Sequence, residues 1–408
     1  MFEIIDGGVT APKGFKAAGT AAGIKYKDRP DMALIYSEKP CRVAGTFTSN
    51  VVKAAPVKWD MEIVENSDFA QAVVVNSGIA NAATGKEGMK ICSDTAEYTG
   101  RMLNIPASAV LVGSTGVIGM QMDIEKLKAG VDKLVPALSD TREAASNAER
   151  AIMTTDTVPK EAAVTAVIGG KLVTFGAMSK GSGMIHPNMC TMLGYITTDC
   201  AISGEMLKKA LKADIVDTFN MITVDGDTST NDTLLCLANG MAGNEEITEE
   251  GADYDTFCEC LFHVSKTLAR KMARDGEGAT TLFTCTINSA DTKENARILA
   301  KSVVGSSLCK AAIYGNDANF GRFLCAIGYS GVSFDPDMVV LKMRSEAGEL
   351  MIFDHGTPLD FDEEVATNIL KQEEVIIEIN MNMGSESATA WGCDLTYDYV
   401  KINADYRS

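Results

Sequence analysis

Short runs of branched apolar residues alternate along the chain with longer stretches in which apolar positions recur every three or four residues. "QAVVVN" (Gln71–Asn76) and "VLVG" (Val110–Gly113) have the length and branching of short buried strands. "DIEKLKAGVDKLVPAL" puts Ile124, Leu127, Val131, Leu134 and Leu138 on one face and predicts a helix. Ser203 stands as an N-cap before a second helical stripe of Leu207, Leu211, Ile215 and Phe219. Phe257, Leu261, Val264, Leu268 and Met272 mark a third helix, expected to stop at Asp275-Gly276 with the glycine as breaker. "TTLFTCTIN" then reads as a strand. In "VIIEINMNM", Val375, Ile377, Ile379, Met381 and Met383 point one way and Glu378, Asn380 and Asn382 the other, the pattern of a half-buried, antiparallel strand. The sum is a mixed α/β or α+β protein. Periodicity gives no strand order, and no linker rich in Pro, Gly or Ser divides the chain.

The 408 residues suffice for about two domains and a large core. A formal charge of −18, from 37 basic and 55 acidic residues, argues against a nucleic-acid partner and leaves room only for small anions in a local basic pocket. The start "MFEIIDGGVTAPKGF" carries no basic region followed by an apolar run, so no signal peptide is expected. No stretch reaches about 18 consecutive apolar residues, so no membrane span is expected and the cytoplasm is the expected location. Eleven cysteines lie scattered without a framework and are read as buried thiols. With three histidines far apart (His186, His263, His355) and no CxxC pairs, no metal site is expected.

The same shortage of histidine disfavours a Ser-His-Asp triad. There is no GxxxxGK[ST] loop, and "GSG" at Gly181–Gly183 is no dinucleotide fingerprint. "DGDTSTND" (Asp225–Asp232) lacks the glycine and closing glutamate of a calcium loop. What remains is hydroxyl chemistry without histidine, in the stretch "SKGSGMIHPNMCTMLGYITTDC" (Ser179–Cys200). A threonine hydroxyl is a poor nucleophile unless a base takes its proton. An α-amino group, with an unperturbed pKa of about 8, can be that base. Thr191 would own such an amine only after the Cys190–Thr191 bond is cut. Attack of its hydroxyl on the preceding carbonyl, followed by hydrolysis of the ester, would cut it. In most proteins a threonine in a Gly-bounded stretch is structural, and spacing alone does not separate the two readings.

"NMCTMLGYITTD" resembles the self-cleavage segment of the glutamate N-acetyltransferase (ornithine acetyltransferase) family of arginine biosynthesis, the ArgJ family. The resemblance runs through "GGVTAPKGF" (Gly7–Phe15), "FTSN" with "AAPV" (Phe47–Val57), "VNSGIANAATG" (Val75–Gly85) and "STGVIG" (Ser114–Gly119). It continues in "MTTDTVPK" (Met153–Lys160), "KGSGMIHPNM" (Lys180–Met189), "TVDGDTSTNDT" (Thr223–Thr233), "DGEGAT" (Asp275–Thr280), "YGNDANFGR" (Tyr314–Arg322) and the C-terminal "NADYRS". Three positions depart from the family's usual residues: Cys190 stands for Ala, Thr281 for Lys and Ile79 for Asn. The first bears on the rate of cleavage and the second removes a charge beside an acidic site residue.

The resemblance implies an N-terminal-nucleophile-type α/β sandwich of sheets and helices, like those of ornithine acetyltransferases and DmpA-type aminopeptidases, with a smaller C-terminal α/β portion. It implies self-cleavage at Cys190–Thr191 into an α chain of 1–190 and a β chain of 191–408, interleaved in one unit and assembled as a heterotetramer of two α and two β chains. Thr191 is then the nucleophile, taking acetyl from N2-acetylornithine and passing it to glutamate. Thr115 and Gly116 match the pair that stabilises the oxyanion. Thr154, Lys180, Thr191, Glu277, Asn403 and Ser408 match substrate ligands, although Thr155 is chemically indistinguishable from Thr154. A cation at Lys180 would suit a substrate carboxylate and would depress the pKa of a nearby amine. Read without the resemblance, Thr115-Gly116 is a tight turn, Lys180 a solvated loop lysine and Glu277 a solvated surface carboxylate. The C-terminus would have to be docked to reach a site, with Tyr399, Val400, Ile402 and Tyr406 as expected anchors. No cofactor is implied. Family members divide into those restricted to acetylornithine and those that also accept acetyl-CoA as a co-substrate, and no residue here separates the two. The alternative is an N-terminal-nucleophile hydrolase or aminopeptidase of similar fold, in which water replaces glutamate. A thiol nucleophile at Cys190 lacks an evident base, and His186-Pro187 read as shaping the turn ahead of the cut. A non-enzymatic binding module would not need a cleavable Cys–Thr bond.

Overall fold

A computed structural model describes residues 1–67, 69–186 and 192–405. The chain divides into two compact units. The first comprises Met1–Gly181, Pro187–Phe219 and Thr228–Leu268, and the second Ser182–His186, Asn220–Asp227 and Ala269–Ser408. Each unit is built from three separate pieces of chain, which is why no linker is legible between them.

Unit 1 is organised on a nine-stranded sheet: β1 (Phe2–Ile5), β2 (Phe15–Thr20), β3 (Met32–Phe47), β4 (Phe69–Asn76), β5 (Val110–Ser114), β6 (Lys160–Ile168), β7 (Lys171–Lys180), β8 (Leu193–Thr198) and β9 (Thr233–Ala238). The order is β1-β6-β7-β8-β9-β3-β4-β5, with β2 on β3. β8 runs antiparallel to β7 and parallel to β9, and β9 continues antiparallel into β3. The two strands that follow position 191 therefore lie in mid-sheet, flanked on both sides by strands that precede it.

Both faces of this sheet are covered, so successive residues of a strand enter different cores. Ala33, Ile35, Val73, Val75 and Leu111 pack with Ala145, Ala148, Ala151 and Ile152 of the helix Arg142–Ile152. Met32, Leu34, Ala72, Val74, Val110 and Val112 face Ile91 and Ala96 of the helix Gly85–Leu103 and Leu127, Val131 and Leu134 of the helix Ile124–Leu134. The alanine stripe lets the first helix sit close: a Cβ on Gly19 would lie 2.0 Å from the Asn147 carbonyl oxygen. At the outer edge of β5, Trp59 Nε1 donates to the Val110 carbonyl (2.9 Å) and Asp60 accepts from the Val112 N–H (2.8 Å). These bonds satisfy an edge that would otherwise template another strand.

The expected strands and helices are present, with four differences. The helix over 124–138 ends at Leu134 and tightens into a 3-10 turn at Val135–Ala137, because Pro136 supplies no N–H to continue it. Ser203 does cap Gly204–Asp214, accepting from the Met206 N–H, but Ile215 and Phe219 fall in 3-10 turns beyond it. The helix Ala252–Arg274 stops where expected, yet Gly278 (φ +69), not Gly276, takes the left-handed conformation. Gly276 is small for another reason: a Cβ there would lie 2.6 Å from Cys393 Sγ.

The fourth difference lies in unit 2. Its sheet comprises β10 (Leu282–Ala290), β11 (Val340–Ser345), β12 (Gly348–Asp354), β13 (Thr357–Pro358), β14 (Glu374–Asn380) and β15 (Glu386–Cys393), in the order β13-β12-β11-β14-β10-β15. β14 buries Val375, Ile377 and Ile379 as its alternation requires. It is antiparallel only to β11, and it runs parallel to β10. The helix Lys293–Gly305 covers β10 and β15, burying Leu299, Ala300, Val303 and Val304.

Of the described cysteines all are free. Most are buried, as expected, whereas Cys325 is exposed. No helix among the described residues is long and apolar enough to cross a membrane.

Candidate active site

In unit 1 the predicted residues gather where strand ends and one loop meet. β4 and β5 are parallel, and their C-terminal ends carry Asn76 and Ser114 in register. The Ser114 hydroxyl donates to Asn76 Oδ1 (2.7 Å), and Asn76 Nδ2 donates to the Ile79 carbonyl (2.9 Å). Asn231 ties the same turn from a third segment, its Nδ2 donating to Ala80 O (2.6 Å) and Ser114 O (2.7 Å).

Thr115 and Gly116 follow on this frame. The Thr115 N–H is given to Asn76 O (3.0 Å) and the Val117 N–H to Gly78 O (3.1 Å). Between them the Gly116 N–H meets no acceptor among the described residues. Gly116 has φ +129, and a Cβ there would fall 2.2 Å from the Gly78 carbonyl carbon. No other residue fits this backbone. The site thus presents one backbone donor, Gly116 N–H, and one hydroxyl, Thr115 Oγ1. Ile79, one of the unusual residues, bridges Thr115 and Val117 through its backbone and buries its side chain, so its identity leaves that turn intact.

Lys180 closes β7. It is buried, not a solvated loop residue. Its Nζ donates to Thr154 Oγ1 (2.7 Å) and Thr115 Oγ1 (3.4 Å). Thr154 is therefore the hydroxyl of its pair bonded to Lys180. Its loop, after the helix Arg142–Ile152, is fastened by Arg29, whose guanidinium donates to Met153 O (2.9 Å) and Thr154 O (2.8 Å).

Beneath these groups lies a buried ionic cluster that the sequence reading did not single out. Asp156 accepts from Lys160 Nζ (2.7 Å), from the Gly181 N–H (2.6 Å) and from the Thr154 N–H (3.0 Å), and stands 3.8 Å from Lys180 Nζ. Burial alone would raise its pKa, but the Lys180 and Lys160 ammoniums outweigh that and hold the carboxyl well below the usual range. Glu149, on the helix, accepts the Lys160 N–H through Oε1 (2.8 Å) while its Oε2 is buried without a partner. Burial pushes the Glu149 pKa up from 4.5 to about 8. The one available signal was the acid and base four apart, Asp156 and Lys160, in "MTTDTVPK".

This shift carries a pH prediction. Folded protein holds the Glu149 proton more tightly than the unfolded chain, so its contribution is complete below pH 4.5 and is lost as pH rises through about 8. Glu149→Gln keeps the acceptor for Lys160 N–H and cannot ionise. The fall in Tm between pH 6 and pH 9 is expected to be smaller in Glu149→Gln than in wild type, as read by thermal melts in matched buffers. Equal falls would show that Glu149 ionises freely in the fold.

In unit 2, Glu277 is buried rather than solvated. Its N–H donates to Ser182 O (2.9 Å), and its carboxyl lies over Gly183, where a Cβ would come within 2.3 Å of it. Asn403 Nδ2 donates to Glu277 Oε2 (2.7 Å) and to Tyr399 O (3.1 Å). Of the apolar anchors expected for the helix Tyr397–Ala404, three lie among the described residues. Val400 is exposed, and Tyr399 and Ile402 are only half-buried. A polar contact holds the helix: Thr396 Oγ1 donates to Gly278 O (2.8 Å) while capping the helix, and the approach is close enough that a Cβ on Gly278 would lie 2.7 Å from the Tyr399 nitrogen. Thr281, the departure from Lys, is buried in a turn whose N–H groups at Thr280 and Thr281 both go to Asp394.

The segment leading out of Ser182 is also held by a carboxylate, Asp225, which accepts from the Met184 N–H (2.6 Å) and Ile185 N–H (3.0 Å). His186 Nδ1 pairs with Thr223 Oγ1 (2.9 Å). Burial, aided by the Lys301 charge, pushes the His186 pKa down to about 4, so the ring is neutral near pH 7 and serves the turn rather than acting as a cation. Cys190, Thr191, Tyr406 and Ser408 lie outside the described residues. Among the described residues no group of His, Cys, Asp and Glu is arranged to hold a metal ion.

Comparison with known proteins finds relatives over nearly the whole chain. The ArgJ family model matches residues 16–408. "Arginine biosynthesis bifunctional protein ArgJ 1" of Clostridium acetobutylicum is 49% identical over 394 residues, covering 97% of this chain and 96% of that protein. The Symbiobacterium thermophilum protein named "Arginine biosynthesis bifunctional protein ArgJ" is 49% identical over 408 residues, 100% of each chain. Among solved structures, a chain of ArgJ from Bacillus halodurans is 44% identical, with a TM-score of 0.49 over 52% of this chain and 97% of that one. With a family model spanning nearly all its residues and full-length relatives near half identity, the chain belongs to the ArgJ family of arginine-biosynthesis enzymes.

Proposed function

We propose that this chain is a glutamate N-acetyltransferase that cleaves itself between Cys190 and Thr191 and then moves acetyl from N2-acetylornithine to glutamate through an acetyl-Thr191 ester. The observation that carries the reading is the Thr115-Gly116 turn. A Gly116 N–H with no acceptor among the described residues and a hydroxyl bonded to Lys180 stand side by side on a backbone that only glycine can adopt. Fixed donors of this kind suit the oxyanion of an acyl transfer.

Processing begins with the Thr191 hydroxyl attacking the Cys190 carbonyl. The peptide becomes an ester, the nitrogen of Thr191 becomes an amine, and water releases the Cys190 carboxylate. In each turnover the freed amine takes the Thr191 hydroxyl proton as the oxygen attacks the acetyl carbonyl. The tetrahedral oxyanion collapses, and the departing ornithine nitrogen takes the proton from the ammonium. Glutamate's amine then attacks the ester and restores the hydroxyl. Lys180 binds a substrate carboxylate, with Thr154 beside it. Glu277, oriented by Asn403, binds an amino group. Ser408 completes the substrate ligands.

The sheet order supports retention of both chains after the cut, because β8 and β9 sit between strands of the 1–190 segment. We expect a heterotetramer of two α and two β chains that separates only in denaturant. Initial rates of acetylglutamate formation with N2-acetylornithine and with acetyl-CoA, each as sole donor, test the reaction and decide whether the second donor is used. Release of free acetate at a rate unaffected by glutamate would instead favour a hydrolase.

A further inference from the structure

We propose that Asp156 is a positioning residue for acetyl transfer: its buried carboxylate, neutralised by Lys160, is the socket that fixes the Lys180 ammonium and the Gly181 backbone at the end of β7. The inference rests on the reading of Lys180 as the cation for the substrate carboxylate.

A lysine carries a mobile point charge on a flexible stem and needs an external constraint to be aimed. Here the constraint is Asp156, which gathers four groups, three by hydrogen bond (Lys160 Nζ, the Gly181 N–H and the Thr154 N–H) and one, Lys180 Nζ, by an ion pair at 3.8 Å. Two of the four belong to consecutive residues, Lys180 and Gly181. The third, Thr154, also binds Lys180 through its hydroxyl. One carboxylate thus sets both the ammonium and the hydroxyl against which it rests. Lys160 is fully buried, its ammonium bonded to Asp156 and to the Val158 carbonyl (3.2 Å). It balances the Asp156 charge and is itself held at the backbone by Glu149.

The charge count gives the arrangement its purpose. Asp156 brings one negative charge to two ammoniums. Glu149 adds none near neutral pH, since burial keeps it protonated. Burial also pushes up the pKa of Asp232, a further carboxyl in the electrostatic field of Lys180. In this cluster one carboxylate, Asp156, faces two ammoniums, and Lys180 is the end nearest the Thr115 and Thr154 hydroxyls. Its charge is available to an incoming carboxylate, and an isolated buried lysine could not hold it in place.

The test is a double-mutant cycle on purified, processed enzyme, with KM and kcat for N2-acetylornithine measured separately. Asp156→Asn in the wild-type background is expected to raise KM by about tenfold or more, as loss of a charge-assisted contact does, with a smaller change in kcat. In a Lys180→Met background the same substitution should change KM by less than about twofold, because the group it positions is already gone. Equal effects in the two backgrounds would overturn the proposal and leave Asp156 a purely structural residue. Should Asp156→Asn fold poorly, the pair Asp156→Asn with Lys160→Met removes the carboxylate and its counter-ion together and preserves the net charge. Its KM should remain raised, and a wild-type KM would overturn the proposal. A wild-type KM in Lys180→Met alone is a separate outcome, which removes the substrate role of Lys180.

Discussion

Replacement of Thr191 by alanine is expected to leave a single chain of 408 residues with no acetyl transfer above background. The variant loses the atom proposed to make the first attack in both reactions. Without the hydroxyl no ester can form at Cys190, so no α-amine is freed, and no acyl-enzyme can form afterwards. The two losses are not independent, which makes the expected effect larger than that of any single donor. Thr191→Ser retains a hydroxyl and should still cleave, with the altered rate reporting how far the missing methyl matters for alignment. Intact mass gives the processing outcome directly: two species, 1–190 and 191–408, for wild type and serine, one for alanine. Acetylation of the β chain by N2-acetylornithine in the absence of glutamate gives the second. Transfer by an uncleaved chain would rule out the α-amine as base and require another group to take the hydroxyl proton.

The parts of the fold that were legible in the sequence are those decided by local burial. Gln71–Asn76 and Val110–Gly113 are runs of branched apolar residues because β4 and β5 face a core on each side. The alternation at 375–381 was equally plain, but a period of two is common to parallel and antiparallel strands, so it could not reveal that β14 pairs one way with β10 and the other with β11. Strand order escaped for a related reason: β8 enters mid-sheet by contacts with residues far from it in sequence. Site residues were legible only as motif. Thr115, Lys180 and Glu277 look like ordinary polar residues in isolation, and the burial of Lys180 and Glu277 depends on partners such as Asp156 and Gly183 that the chain supplies from elsewhere. Val400 failed as an anchor because the C-terminal helix docks by hydrogen bonds at Thr396 and Asn403, which leave no hydrophobic periodicity to read.

The oxyanion turn offers the other large effect, and the backbone hydrogen bonds narrow what can be tested there. Thr115 N–H is already given to Asn76, so Thr115 can stabilise a developing charge only through its hydroxyl, and the backbone donor must be Gly116 N–H. Thr115→Ala leaves that N–H in place and is expected to lower kcat by roughly 100-fold, equivalent to about 2.7 kcal/mol of transition-state stabilisation. KM should change little, because the donors address a charge absent from the ground state. Gly116→Ala acts differently. It forces a side chain into a left-handed backbone and within 2.2 Å of Gly78, so the turn must move and carry the N–H with it. Its kcat should fall at least as far as that of Thr115→Ala, and its Tm should fall as well, whereas Thr115→Ala should melt near wild type. Self-cleavage in Thr115→Ala is the informative contrast. The carbonyl attacked there belongs to Cys190 of the chain itself and need not occupy the position of an acetyl group, so processing can proceed while turnover is slow. The measurement is kcat and KM on already cleaved Thr115→Ala protein with N2-acetylornithine and glutamate. An unchanged kcat with a raised KM would assign the hydroxyl to ground-state binding alongside Lys180, and would leave Gly116 N–H as the donor that meets the oxyanion.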